Sequence, residues 1–107
     1  MPRPRKQRTI SFLQKPAIYK PAGVPLDQLR QVRLLPEELE ALRLADLEAL
    51  NQVEAARVMN VSRSTFQRIL AHAHRQVAMA LVEGCALNVE GSTFEIIPPL
   101  PRKLAQG

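Results

Sequence analysis

Apolar positions recur at helical spacing through the middle of the chain and lose that spacing towards both ends. From Pro36 onward, Leu39, Leu42 and Leu47, with Ala41 and Ala45, share one side, and Glu40 and Arg43 take the other. Pro36 suits a first helical turn, where its missing N–H costs nothing, and Glu37 and Glu38 complement the positive helix end. Asn51-Gln52-Val53-Glu54 predicts a second helix start. The Asn51 side chain accepts from the Glu54 amide while the Glu54 carboxylate reaches back to the Asn51 amide. This helix runs for about two turns through Ala55, Ala56 and Met59. Asn60 then stands where a tight turn requires positive φ, which Gly and Asn enter most cheaply. Ser62 follows as the N-cap of a third helix with an apolar stripe of Phe66, Ile69, Leu70, Ala73, Val77, Ala80 and Leu81, which Gly84 ends.

The flanking segments read differently. Prolines 2, 4, 16 and 21 among basic residues oppose helix and favour an extended arm over 1–23, within which Thr9 to Leu13 alternates well enough for a short strand. Leu26 to Leu34 is ambiguous: Leu26 and Leu29 fit a helical turn, Val32 and Leu34 a period of two. It reads as a linker that packs. Cys85 to Val89 reads as an edge strand able to pair with the Ile10 region, making a two-stranded element. The expected division is a basic Pro-rich arm over 1–23, a helix-turn-helix domain over 24–91 and a disordered tail over 92–107, where Pro98, Pro99 and Pro101 cluster.

The fold class expected is mainly α, built on a helix-turn-helix with an extended basic arm. Ala56 supplies the small residue that a close helix crossing needs, and Val61 plugs the turn. Ala55, Met59, Phe66 and Ile69 form the shared core. With that stripe facing inward, Arg63, Ser64, Gln67, Arg68 and Ala71 face outward. Arg donates a bidentate pair to guanine, and Gln pairs with adenine. Ser62 and Ser64 suit phosphates, as do the unpaired N–H groups of the helix start. Arg75 reaches the backbone further along, and Arg3 and Arg5 suit a minor groove.

The charge distribution agrees with a polyanionic partner. The chain carries a formal +5. Arg3, Arg5, Lys6, Arg8, Lys15 and Lys20 stand in an acid-free start, and Arg63, Arg68 and Arg75 in an acid-free stretch of the third helix. The acids gather between them, at 27–54, which predicts one positive and one negative face.

Other chemistry finds little support. His72 and His74 are two apart on a helix and point to different sides, so they read as surface or rim residues and not as a shared metal site. Cys85, the single cysteine, forms no internal disulfide and reads as a small buried apolar residue. There is no phosphate loop, paired catalytic carboxylate or nucleophile with a recognisable base, so no enzymatic activity and no cofactor are expected. A secretory signal and membrane-length apolar runs are lacking, which predicts a cytoplasmic protein with no membrane partner.

The run Glu38 to Asp46, then Gln52, Glu54-Ala55-Ala56, Met59, Val61-Ser62-Arg63, Thr65-Phe66 and Arg68-Ile69-Leu70, closely resembles a family of small prokaryotic proteins. That family is catalogued as domain of unknown function number one hundred and thirty-four, and its helix-turn-helix is similar to the fourth conserved region of bacterial sigma factors. The resemblance extends to Pro2-Arg3-Pro4-Arg5, Lys20-Pro21-Ala22-Gly23, Ala80-Leu81-Val82, Gly84 and Ala86-Leu87, leaving the last fifteen or so residues outside. It implies binding to double-stranded DNA and transcriptional control; a single such helix seldom supplies enough affinity alone, so a second copy or a partner such as RNA polymerase is expected. The family often has Gly at Asn60 and basic residues at His74, Gln76 and Cys85, which implies weaker phosphate attraction in this chain. The alternative expectation is a protein-interaction adaptor using the acidic helix from Pro36 to Leu47 as its contact surface.

Overall fold

The computed structural model describes residues 16–91. A short strand β1 (Ala17–Tyr19) is followed by a 3₁₀ turn (Leu26–Gln28), β2 (Gln31–Leu34), α1 (Pro36–Leu42), a π-type turn (Arg43–Leu47), α2 (Gln52–Met59), α3 (Arg63–Glu83) and β3 (Ala86–Val89). The fold is mainly helical, with one small sheet of order β1-β3-β2. The strand expected at Thr9–Leu13, its pairing through Ile10, Arg3 and Arg5 of the arm, and the tail at 92–107 lie outside the described residues.

Two expectations about the sheet are corrected. It has three strands, and β3 is its central strand, not an edge: it pairs antiparallel with β1 (Ala17 opposite Val89) and parallel with β2 (Gln31 opposite Ala86, Leu34 opposite Val89). The β1 residues come from the stretch expected to be an extended arm. A parallel pair cannot close through a tight turn, so β2 and β3 need a long crossover, and all three helices together provide it. The ambiguity at Leu26 to Leu34 resolves into both of its readings in succession, a helical turn and then a strand. Val32 and Leu34 face inward from that strand, with Gln31 and Arg33 outward.

Helix α3 is the spine. Its 21 residues span roughly 31 Å. Along it lie three apolar clusters: Phe66 and Ile69 with Ala41, Leu44, Ala55, Ala56 and Met59; Ala73 with Leu34 and Val89; and Ala80 with Val32 and Cys85. Leu81, expected within the stripe, is 78% exposed. The sheet covers only the line through Ala73 and Ala80, and Leu81 sits one helical step, about 100°, past it.

Helix α1 departs most from its expected pattern. Ala41 and Leu44 are fully buried against the first cluster, while Leu39 and Leu42 pack on the second. A helix wedged between two apolar clusters has no wholly polar side, so Glu40, expected on the outer face, is fully buried, whereas Leu47 is 61% exposed. The backbone widens after Leu42: the Glu48 amide donates to the Arg43 carbonyl and the Leu50 amide to that of Leu44, with Ala49 held at φ 60°. This change of pitch turns Leu47 out of the line that the regular helical period assigns it. At the other end the Glu38 carboxylate accepts from the Leu35 amide (2.9 Å) and also meets His72 Nδ1, fastening α1 to α3.

Candidate nucleic-acid interface

The start of α2 closes as its sequence dictates. Asn51 Oδ1 accepts from the Glu54 amide at 2.8 Å, and Glu54 Oε1 accepts from the Asn51 amide at 3.1 Å. Its end closes on Asn60 at φ 60° and ψ 46°, a left-handed cap, and the Val61 amide returns to the Ala56 carbonyl at 3.0 Å. The Ser62 hydroxyl then accepts from the Thr65 amide at 3.1 Å and starts α3. Two helices joined by the three residues Asn60–Ser62 result.

Packing orients this pair. Ala55, Ala56 and Met59 of α2 bury against Phe66 and Ile69 of α3, with Val61 half-buried over the joint. Ala56, 4% exposed, allows the helices to approach closely. Because Phe66, Ile69 and Ala73 point inward, Ser62, Arg63, Ser64, Gln67, Arg68 and Ala71 are all exposed, on a first turn that contains no acid. Arg75, also exposed, follows about 10 Å further along the axis. The outward set is therefore brought together as expected.

Local hydrogen bonds hold the exposed side chains. Arg68 Nη2 donates to Thr65 Oγ1 at 3.2 Å, and Ser62 Oγ lies 3.0 Å from that hydroxyl and 3.3 Å from Ser64 Oγ. Gln67 Nε2 donates to Gln52 Oε1 at 2.6 Å, and Arg63 Nε approaches the same oxygen at 3.5 Å. Gln52 was not among the residues expected at this surface. No periodicity marks a contact between the first turns of two successive helices, and its only sequence signal is its place directly after the N-cap.

The remaining candidates take structural positions. His72 and His74 flank the buried Ala73 and reach along either side of the α1 region, His72 to Glu38 and His74 Nε2 to Asp46 at 2.8 Å. Cys85 is buried beside Val32 and Ala80. Among the described residues no group of three His, Cys, Asp or Glu side chains is arranged to hold a metal ion. No described helix is long and apolar enough to cross a membrane.

Comparison with known proteins gives the family of the chain. The sequence profile described as "Protein of unknown function DUF134" matches residues 1–97. A UPF0251 protein of Dehalococcoides mccartyi (strain 195) is 57% identical over 96 residues, which cover 90% of this chain and 82% of the relative. The chain belongs to this family. Another UPF0251 protein, from Desulforudis audaxviator, is 52% identical over 97 residues (91% of this chain, 63% of the relative). One from Halothermothrix orenii is 47% identical over 96 residues (90% and 71%). No solved structure matches the chain.

Proposed function

We propose that this protein binds double-stranded DNA by laying the first turns of α3 in the major groove, and that it regulates transcription. One observation carries the reading. The Ser62-capped helix buries Phe66, Ile69 and Ala73 and leaves Arg63, Ser64, Gln67 and Arg68 exposed together without an acid among them. A recognition helix needs this division, in which one face fixes the crossing with its neighbour and the other offers donors to base edges and phosphates. The helix start adds free N–H groups suited to a phosphate, and Arg75 follows the backbone. The resemblance of these residues to the fourth region of sigma factors supports the same role. A single helix seldom supplies enough affinity alone, so a second copy or RNA polymerase completes the complex, in the cytoplasm.

Titrating a random-sequence duplex at about 50 and 200 mM salt tests this reading, since phosphate docking weakens steeply as counterions compete. Binding that falls by tenfold or more between the two supports it, and no binding at either salt refutes it. The duplex-binding reading is favoured over an adaptor that uses the acidic Pro36–Leu47 segment as its contact surface. Two of that segment's acids, Glu38 and Glu40, are buried and so unavailable to a partner.

A further inference from the structure

The carboxamide of Gln52 touches both side chains best suited to contact bases. Gln67 Nε2 donates to its oxygen at 2.6 Å, and Arg63 Nε faces the same oxygen at 3.5 Å. The orientation of the two amides follows from chemistry. Arg is a donor only, so the Gln52 atom it faces must be the acceptor oxygen, and Gln67 must then turn its NH₂ to that oxygen as well. Gln67 is left with its own Oε1 and its second Nε2 hydrogen directed elsewhere. An acceptor beside a donor on one carboxamide is the complement of adenine N6–H and N7. Arg63 commits its Nε and keeps both terminal nitrogens, a donor pair that matches guanine O6 and N7.

We infer that Gln52 is a positioning residue that holds Gln67 for adenine and Arg63 for guanine, so that the preferred duplex carries these two bases within about two base steps of each other. The spacing follows from the helix. Residues four apart are separated by about 6 Å along its axis, against about 3.4 Å per base in one strand. Both side chains would otherwise lose several rotatable bonds on binding, so holding them beforehand favours the complex. The inference rests on the duplex-binding reading above and adds to it which bases are read and what readies the side chains.

Selection from a random duplex pool, followed by affinities at one salt concentration for the selected duplex and for versions with the guanine or the adenine replaced, tests it. The wild type should discriminate at both positions. Gln52→Met, which keeps the length but not the oxygen, should reduce each discrimination ratio by about two- to tenfold, the cost of freeing a rotamer-rich side chain. Gln52→Glu keeps an acceptor and should retain both ratios, while its charge lowers affinity for every duplex alike. In a Gln67→Ala background, Gln52→Met should no longer change the adenine ratio. Unchanged ratios in Gln52→Met, or a selected site without a neighbouring guanine and adenine, overturn the role of Gln52 and leave duplex binding standing. Failure of the wild type to bind any duplex overturns both.

Discussion

Arg43 grips Glu40 with two guanidinium nitrogens, Nε at 3.0 Å and Nη2 at 3.1 Å from the two carboxylate oxygens, and the Glu40 side chain has no exposure to water. Its Nη1 reaches Glu48 at 3.2 Å, so one cation serves two largely buried carboxylates at the widened end of α1. Arg43→Ala should destabilise the protein by about 3–5 kcal/mol, because it takes the guanidinium away from two buried carboxylates. Urea unfolding measures this, and a loss below about 1 kcal/mol would mean that the carboxylates are solvated or neutralised more easily than their burial implies.

Ala49, exposed, is held at φ 60°, where its Cβ crowds the backbone. Ala49→Gly should stabilise the fold by up to about 1 kcal/mol, relief of the left-handed strain outweighing the added freedom of the unfolded chain. A lowered thermal midpoint in the glycine variant would contradict this.

Ala56 of α2 is 4% exposed and lies in one cluster with Phe66 and Ile69 of α3. Ala56→Leu should cost about 1–3 kcal/mol, since the added atoms have no space without moving α3. A midpoint equal to that of the parent would show that the crossing is looser than described.

On the duplex-binding reading, Arg63→Ala and Arg68→Ala should each weaken binding by about 1–3 kcal/mol if they make bidentate base contacts. Direct titration decides it, and wild-type affinity in both variants would place the contact surface elsewhere.

The Arg33 guanidinium hydrogen-bonds Glu90, which lowers the carboxyl below its usual range and raises the guanidinium above its own. A carboxylate whose folded pKa is depressed adds stability above the ordinary carboxylate range, and this is lost as pH falls through the folded value. The Arg33 side is lost only at alkaline pH beyond the guanidinium range. Wild type should therefore unfold at a slightly higher midpoint than Glu90→Gln at neutral pH, and the two should converge in acid. A gap that widened on acidification would reverse the sign.

Much of the candidate site was legible because its controls are local. Asn51 with Glu54, Asn60, Ser62 and Gly84 each satisfy backbone groups within a few residues, so the type of residue at one position sets the conformation there. The inward set of α3 followed from its period as far as Ala80 and failed at Leu81, where the neighbouring sheet stops. Gln52 was missed because its partners are 11 and 15 residues away on another helix. Glu40 was misplaced because polarity alone suggests solvent, whereas the Arg43 guanidinium makes an interior place tolerable.

From the sequence alone came the limits of α2 and α3, the turn between them, and the acid-free outward set from Ser62 to Arg68, since short-range hydrogen bonds and the helical repeat govern all of these. Only the tertiary structure decided that β3 lies between β1 and β2, that α1 is wedged between two apolar clusters with Glu40 inside, and that Gln52 meets Arg63 and Gln67. Each of these depends on which distant segments share one space, a choice made by the total apolar surface buried and by pairing of the polar groups buried with it.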